Sequence, residues 1–198
     1  MIKKVVVIGP ESTGKSSLCE QLANHYKTEW VKEYAREYLL TNGTEYNYDN
    51  LLEIAKGQFA LEKAAIQLVE NKIKISTENN TTSAANDLPE IVLIDTNMYV
   101  LKVWCEFVFE KCHPWILNQI VENSYDLYLL CDIDLPWVKD ELREYPEVGI
   151  REKLYHHYKD LLINQSTPWV NISGNYQQRV EIAVNAIDSI RTKTSLAS

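Results

Sequence analysis

Residues 3–26 read KKVVVIGPESTGKSSLCEQLANHY. A short apolar run, Val5 to Ile8, leads into Gly9-Pro10-Glu11-Ser12-Thr13-Gly14-Lys15-Ser16, and an amphipathic stretch carrying Leu18, Leu22 and Tyr26 follows. The spacing is G-x-x-x-x-G-K-[ST], in the setting that pattern needs, with a buried strand before it and a helix after it. Phosphate oxygens are held by backbone N–H groups wrapped around them, so the loop has to turn tightly. Gly9 and Gly14 can take backbone angles that a Cβ would forbid. The start of the following helix offers unpaired N–H groups and a positive dipole end. Gly9, Pro10, Glu11, Ser12, Thr13, Gly14, Lys15, Ser16 and Ser17 therefore form the expected nucleotide-binding stretch. Lys15 would place a point charge against the terminal phosphates, and Ser16 would give its hydroxyl to Mg²⁺.

The rest of the composition fits one domain over residues 1–198. The chain is 45% hydrophobic and 24% charged, a globular profile, and it is long enough to bury a core. A net charge of −8 excludes a general nucleic-acid binder, which needs a basic face. No apolar run approaches the ~20 residues of a bilayer crossing, and the start of the chain lacks the apolar region and cleavage site of a signal peptide. The expectation is a cytoplasmic protein with no membrane or nucleic-acid partner. Cys19, Cys105, Cys112 and Cys131 form no C-x-x-C pair, so they are expected to be reduced and mostly buried.

In chain order, Thr28–Lys32 reads as a second strand and Glu33 to Tyr38 as a helix start. Thr41 to Tyr48 reads as a loop. From Asp49 to about Ser76, Leu51, Leu52, Ala55, Phe59, Ala60 and Ala64 recur at helical spacing, as one long helix or two around Gly57. Residues 77–90 are polar, small and expected to be a mobile surface loop. Ile91 to Asp95 is a buried strand, Asn97 to Phe109 a helix, and Leu127 to Cys131 another strand. Ile150 to Ile163 is helical, Trp169 to Ile172 a last strand, and Gln177 to Ile190 a last helix. This alternation predicts an α/β fold with a parallel sheet covered by helices on both faces.

Ligands in such sheets lie beyond the carboxyl ends of the strands. Asp95 follows four apolar residues there, as a Walker B carboxylate does, and would hold Mg²⁺; the same position would suit a helix N-cap. Glu33 ends the second strand and could accept a proton from an attacking hydroxyl, or simply favour a helix dipole. Arg36 could contact substrate or pair with Glu33. The stretch from Lys139 to Arg151 looks like a phosphotransferase lid, with Arg143 and Arg151 closing over the phosphates; a solvated charged face is the plainer alternative. Tyr46, Tyr48, Trp104 and Trp115 could stack on a planar ring or belong to the core. His156-His157 reads as a surface pair.

Several pieces together resemble one family: GPESTGKS at 9–16, EYAREY at 33–38, YDNLLEIAKGQ at 48–58, LIDTN at 93–97, HPW at 113–115 and WVKDELRE at 137–144. The chain resembles the ribosylnicotinamide kinase domain of the NadR family, a P-loop kinase branch also described as AAA-like ATPases, over roughly Lys3 to Arg191. The resemblance implies a five-stranded parallel core. It implies ATP- and Mg²⁺-dependent phosphorylation of the 5′-hydroxyl of nicotinamide riboside, giving nicotinamide mononucleotide. Gly9 to Ser16 and Asp95 match family positions directly. Glu33, Arg36 and Gln58 fall in matching stretches on the substrate side, where Tyr48, Asp95 and Trp104 are also expected. The chain departs from the family pattern at Lys32, where an aromatic is usual, and at Asn97, where the usual residue is Asp.

Two other readings compete. A GTP-binding switch needs Asn-Lys-x-Asp and Asp-x-x-Gly elements, and the chain has neither. An ATP-binding regulatory module, or a kinase for another nucleoside, would use the same P-loop and Walker carboxylate. The discriminating feature is a cleft bordered by Glu33, Arg36 and Asp95.

Overall fold

Val5, Val6, Val7 and Ile8 are all fully buried, which a strand achieves only when both faces of its sheet are covered. The computed structural model describes residues 2–78 and 90–195. In it β1 (Lys3–Ile8) lies at the centre of a five-stranded sheet, between β3 (Ile91–Asp95) and β4 (Leu127–Cys131). β2 (Trp30–Val31) and β5 (Trp169–Ile172) are the edges, in the order β2-β3-β1-β4-β5, and every pairing is parallel. Val7 faces Asp95 across one ladder and Leu129 across the other. The carboxyl ends of the three central strands are therefore level.

Alternation along β1 divides the core. Val5 and Val7 pack with Leu18, Cys19 and Leu22 of α1 (Lys15–Tyr26) and with Ala183 and Ile187 of α7 (Tyr176–Ser195). Val6 and Ile8 face the other way, toward Val100 and Val103 of α4 (Met98–Phe109) and Leu154, Tyr158 and Leu162 of α6 (Val148–Ile163). A third cluster joins α2 (Tyr34–Asn42), α3 (Tyr48–Glu78), α4 and α5 (Pro114–Glu122). The α/β fold and the five parallel strands expected from sequence are those observed.

The differences are local and have causes. The second strand is two residues long rather than Thr28–Lys32, because the Thr28 hydroxyl donates to the Ile91 carbonyl at 2.7 Å where a ladder bond would otherwise form. Asn97, not Asp95, caps α4, accepting from the Tyr99 N–H at 3.1 Å. α3 is a single helix that continues through Glu78. The remainder of the expected 77–90 loop, 79–89, lies outside the described residues. The four cysteines are free; Cys19, Cys105 and Cys131 are buried and Cys112 half-buried. Among the described residues, no helix is long and apolar enough to cross a membrane.

Gly57 sits mid-helix because the Tyr34 ring occupies the space of its missing side chain. An added Cβ would lie 2.1 Å from Tyr34 Cε1. Intrinsic propensity favours Ala over Gly in a helix by about 1 kcal/mol. Overpacking here reverses that, and Gly57→Ala should destabilise the fold by about 1–3 kcal/mol in urea titration. A stabilised variant would contradict this packing.

Candidate active site

The loop between β1 and α1 has left-handed or otherwise positive φ at three positions: Gly9 at 144°, Ser12 at 56° and Gly14 at 77°. A Cβ on Gly9 would meet the Cys131 carbonyl at 2.7 Å, so close approach to β4 as well as φ requires glycine. The left-handed residues at 12 and 14 turn the backbone amides around a concavity suited to an anion. Gly14 is the N-cap of α1 and carries no side chain to occupy the first N–H groups of the helix. The Thr13 hydroxyl is fully buried and closes the loop on the Pro10 carbonyl at 2.7 Å. Lys15 lies across the loop with Nζ donating to the same carbonyl at 2.9 Å.

Behind the loop stand two arginines, each the fourth residue of its helix. Arg179 of α7 is 2% exposed. Its guanidinium donates to the carbonyls of Thr13 (3.1 Å), Asp132 (3.1 Å) and Gly174 (2.8 Å) and pairs with the Asp134 carboxylate. Arg151 of α6 is 3% exposed and donates at 3.4 Å to the carbonyls of Ser12 and Leu135. A planar trans peptide sets the next N–H opposite each carbonyl. Holding the Ser12 and Thr13 carbonyls from behind therefore aims the Thr13 and Gly14 N–H groups to the far side, where a phosphate would lie. Arg151 thus sits behind the loop rather than on the lid facing the cleft, and burial lowers its pKa. Arg179 was not singled out in the sequence. Its signal is a cation in the first turn of a helix, against the dipole, which implies a tertiary partner.

At the level end of β3, Asp95 is 1% exposed. Its Oδ2 accepts from the Ser16 hydroxyl at 2.6 Å, and its Oδ1 is buried without a partner. Burial, with the nearby Glu33 charge second, pushes its pKa up to about 7, against the opposing pull of Lys15 and Ser16. A buried carboxylate with one unanswered oxygen beside a serine hydroxyl at a phosphate nest is a donor set that fits Mg²⁺. Glu33 stands at the end of β2 as the residue before α2. Gln58 of α3, fully buried, ties these two strand ends together. Its Oε1 accepts from the Tyr34 N–H at 2.7 Å, while Nε2 donates at 3.4 Å to the Lys32 and Asp95 carbonyls.

Gly9 to Ser17, Glu33, Arg36, Asp95, Trp104 and Arg143 all border one cleft of about 850 Å³. The same cleft is also lined by Trp30, Val103, Trp104, Phe107, Tyr145 and Tyr158. Over it lies the segment 132–147, held to the loop by four hydrogen bonds, one of them from the Tyr145 N–H to the Glu11 carboxylate. The Val138 N–H donates to the Ser12 hydroxyl at 2.9 Å, Arg143 Nη1 donates to that oxygen at 3.3 Å, and the Glu144 N–H donates to the Glu11 carboxylate at 3.0 Å.

Arg36 borders the cleft but is engaged by the lid, and Tyr48, Trp115 and Gln58 do not line it. Arg36 forms a two-pronged pair with Asp140 of the lid, at 3.2 and 3.0 Å, and not with Glu33. Tyr48 stacks on His113 at 3.7 Å and does not line the cleft. Trp115 packs edge-on against Phe59. Gln58 likewise lies beneath the cleft wall rather than in it. Asn97 is used up in capping α4 and in a 3.2 Å bond to the Tyr128 hydroxyl, away from the cleft.

This is a P-loop kinase-like fold, an all-parallel five-stranded sheet with helices on both faces. The AAA domain family profile matches residues 4–179, and the chain belongs to that family. It is similar to the trifunctional NAD biosynthesis/regulator protein NadR of Escherichia coli (strain K12), with 25% identity over 175 residues covering 86% of this chain and 38% of the relative. The chain spans less than half the length of the curated relatives it matches. A NadR protein solved in complex with NR shares the fold, at a TM-score of 0.71, 24% identity, and coverage of 96% of this chain and 49% of that one. A NadR protein solved in complex with NAD and AMP-PNP does so at 0.66 and 23%, with coverage of 96% and 49%.

The raised pKa has a consequence for stability. An unfolded aspartate deprotonates near 3.8, the folded Asp95 near 7. Between those values the folded state holds the extra proton, so the contribution of neutral Asp95 is lost as pH rises through about 7. Asp95→Asn should therefore melt higher than the wild type at pH 8 without nucleotide, with the gap closing toward pH 4. A gap that is constant with pH would show an ordinary carboxylate.

Proposed function

We propose that this chain is an ATP-dependent kinase that phosphorylates the 5′-hydroxyl of nicotinamide riboside, giving nicotinamide mononucleotide. The observation that carries the reading is the single cleft. Lys15 and the phosphate nest, the aromatic side chains of Trp104, Phe107 and Tyr158, and the carboxylates of Glu33 and Asp95 all border the same cavity. A regulatory nucleotide-binding module has no need of the aromatic lining. The similarity to NadR relatives over most of the chain supports the choice of acceptor.

In this reading the nest and Lys15 hold the β and γ phosphates, and the acceptor hydroxyl approaches from the aromatic side. The hydroxyl oxygen bonds to the γ-phosphorus as the bond to the β–γ bridging oxygen breaks. The hydroxyl proton passes to Glu33 and ADP leaves. Ser16 and Asp95 would hold Mg²⁺, which supplies positive charge against the phosphate oxygens. Arg143 reaches the loop from the lid and would answer charge on the transferred group. The lid and the walls of Val103, Phe107 and Tyr158 exclude water, the competing acceptor.

Lys15→Ala should lower transfer by about 10²- to 10³-fold with an unchanged circular dichroism spectrum. Retained turnover would overturn the phosphate-site assignment. Glu33→Gln should cut kcat by about 10²-fold or more while ATP affinity stays within a few-fold; an unchanged kcat would remove Glu33 as the base. A coupled ADP-release assay over a riboside panel tests the acceptor. The expected result is nicotinamide riboside turning over fastest, and turnover of adenosine or thymidine alone would reassign the substrate.

A further inference from the structure

Glu144 and its neighbour Tyr145 each bond the phosphate loop through the backbone and Tyr46 through the side chain. The Glu144 backbone N–H donates to Glu11 of the phosphate loop at 3.0 Å. Its side chain faces the opposite wall, where Oε2 accepts from the Tyr46 hydroxyl at 3.1 Å. That hydroxyl in turn accepts from the Trp104 indole N–H at 2.8 Å. The Tyr46 and Trp104 rings meet edge to face, 4.9 Å apart at 75°. Trp104 lines the cleft and Tyr46 does not. The chain of donors runs Trp104 to Tyr46 to Glu144, and each hydrogen points toward the lid. The hydroxyl of a tyrosine can donate one bond while accepting another, so a single residue completes the relay. The lid's next residue is placed by the same anchor. The Tyr145 N–H also donates to Glu11, and the Tyr145 ring lies edge-on to Phe107 at 5.4 Å on the cleft wall.

We propose that Tyr46 is a positioning residue that locks the lid to the aromatic wall of the acceptor compartment, through Glu144 on one side and Trp104 on the other. The lid then seats fully only when the Trp104 indole is held in its lining orientation. Acceptor order and phosphate enclosure become one event, which suppresses transfer of the γ-phosphoryl group to water. The bond to a carboxylate makes this a stronger tie than a neutral one. The Arg36–Asp140 pair ties the lid a second time, and both this pair and the Tyr46–Glu144 bond lie at exposed positions. The kinetic consequence rests on the kinase reading above, whereas the lock itself is a property of the unliganded chain.

The experiment has two arms. Hydrogen exchange followed by mass spectrometry measures the lid peptide covering residues 138–147 in the unliganded protein. Tyr46→Phe and Glu144→Ala should each speed exchange of the Glu144 and Tyr145 amides by about tenfold, the scale of losing one hydrogen bond to a charged group. Glu144→Gln, whose side-chain oxygen still accepts from the tyrosine, should stay near wild type. The double variant Tyr46→Phe/Glu144→Ala should exchange no faster than either single variant. In the second arm, with ATP and nicotinamide riboside, Tyr46→Phe should lower kcat several-fold, leave the KM for ATP within twofold, and raise ADP formed per phosphorylated riboside above one. Unchanged exchange in Tyr46→Phe, or single effects that multiply in the double variant, would overturn the lock. Altered exchange with no riboside turnover in the wild type would instead retain the lock and refute the kinase reading.

Discussion

A carboxyl group buried to 1% exposure is costly unless something answers it. At the end of β3, Asp95 is answered on one oxygen by Ser16 and on the other by no group among the described residues. That half-satisfied state fixes much of the surrounding architecture. Ser16 is the second residue of α1, so the bond joins the helix that begins at the phosphate nest to the strand beside β1. The neighbouring Glu33 raises the penalty and Lys15 relieves it, which concentrates both signs of charge within one cleft. The site is less stable than it would be with an amide at this position. Such strain is expected where a bound cation and polyphosphate supply the missing partners.

The loop itself is held from both sides. Arg179 and Arg151 reach its carbonyls from helices that follow β5 and β4, while Glu11 and Ser12 on its outer side accept from the lid. Ser12 has a left-handed φ despite carrying a Cβ, and persists there because its hydroxyl and carbonyl are both engaged. The result is a nest whose carbonyls are held by two arginines that do not line the cleft, and whose outer side is held by lid residues that do. Preorganisation of this kind places the work of alignment in folding rather than in binding.

The parts legible from sequence were those set by local backbone rules. G-x-x-x-x-G-K-S defines a turn that only certain residues permit, and four apolar residues followed by Asp95 define a buried strand with a polar end. Both lie where the sequence placed them, and Glu33 and Arg143 border the same cleft. The rest depends on tertiary partners that spacing does not encode. Arg151 and Arg179 look like ordinary charges on amphipathic helices, yet both are buried against loop carbonyls. An aromatic residue can serve a core or a cleft equally well. Tyr48 went to a stack with His113 and Trp104 to the cleft wall, and only the packing of α3 against α4 and α5 separates them. Gln58 belongs to a matching family stretch, and its buried amide joins the ends of two strands without lining the cleft.

The most direct test of the buried carboxylate's place in nucleotide binding is the proton count on binding. Calorimetric titration of Mg²⁺·AMP-PNP at pH 7, repeated in buffers of different ionisation enthalpy, measures protons released per nucleotide. With the Asp95 pKa near 7 in the unliganded protein, binding should release roughly half a proton, and Asp95→Asn should release none by this route. A wild type that binds the nucleotide with no proton release, or a variant that releases as much, would contradict the account.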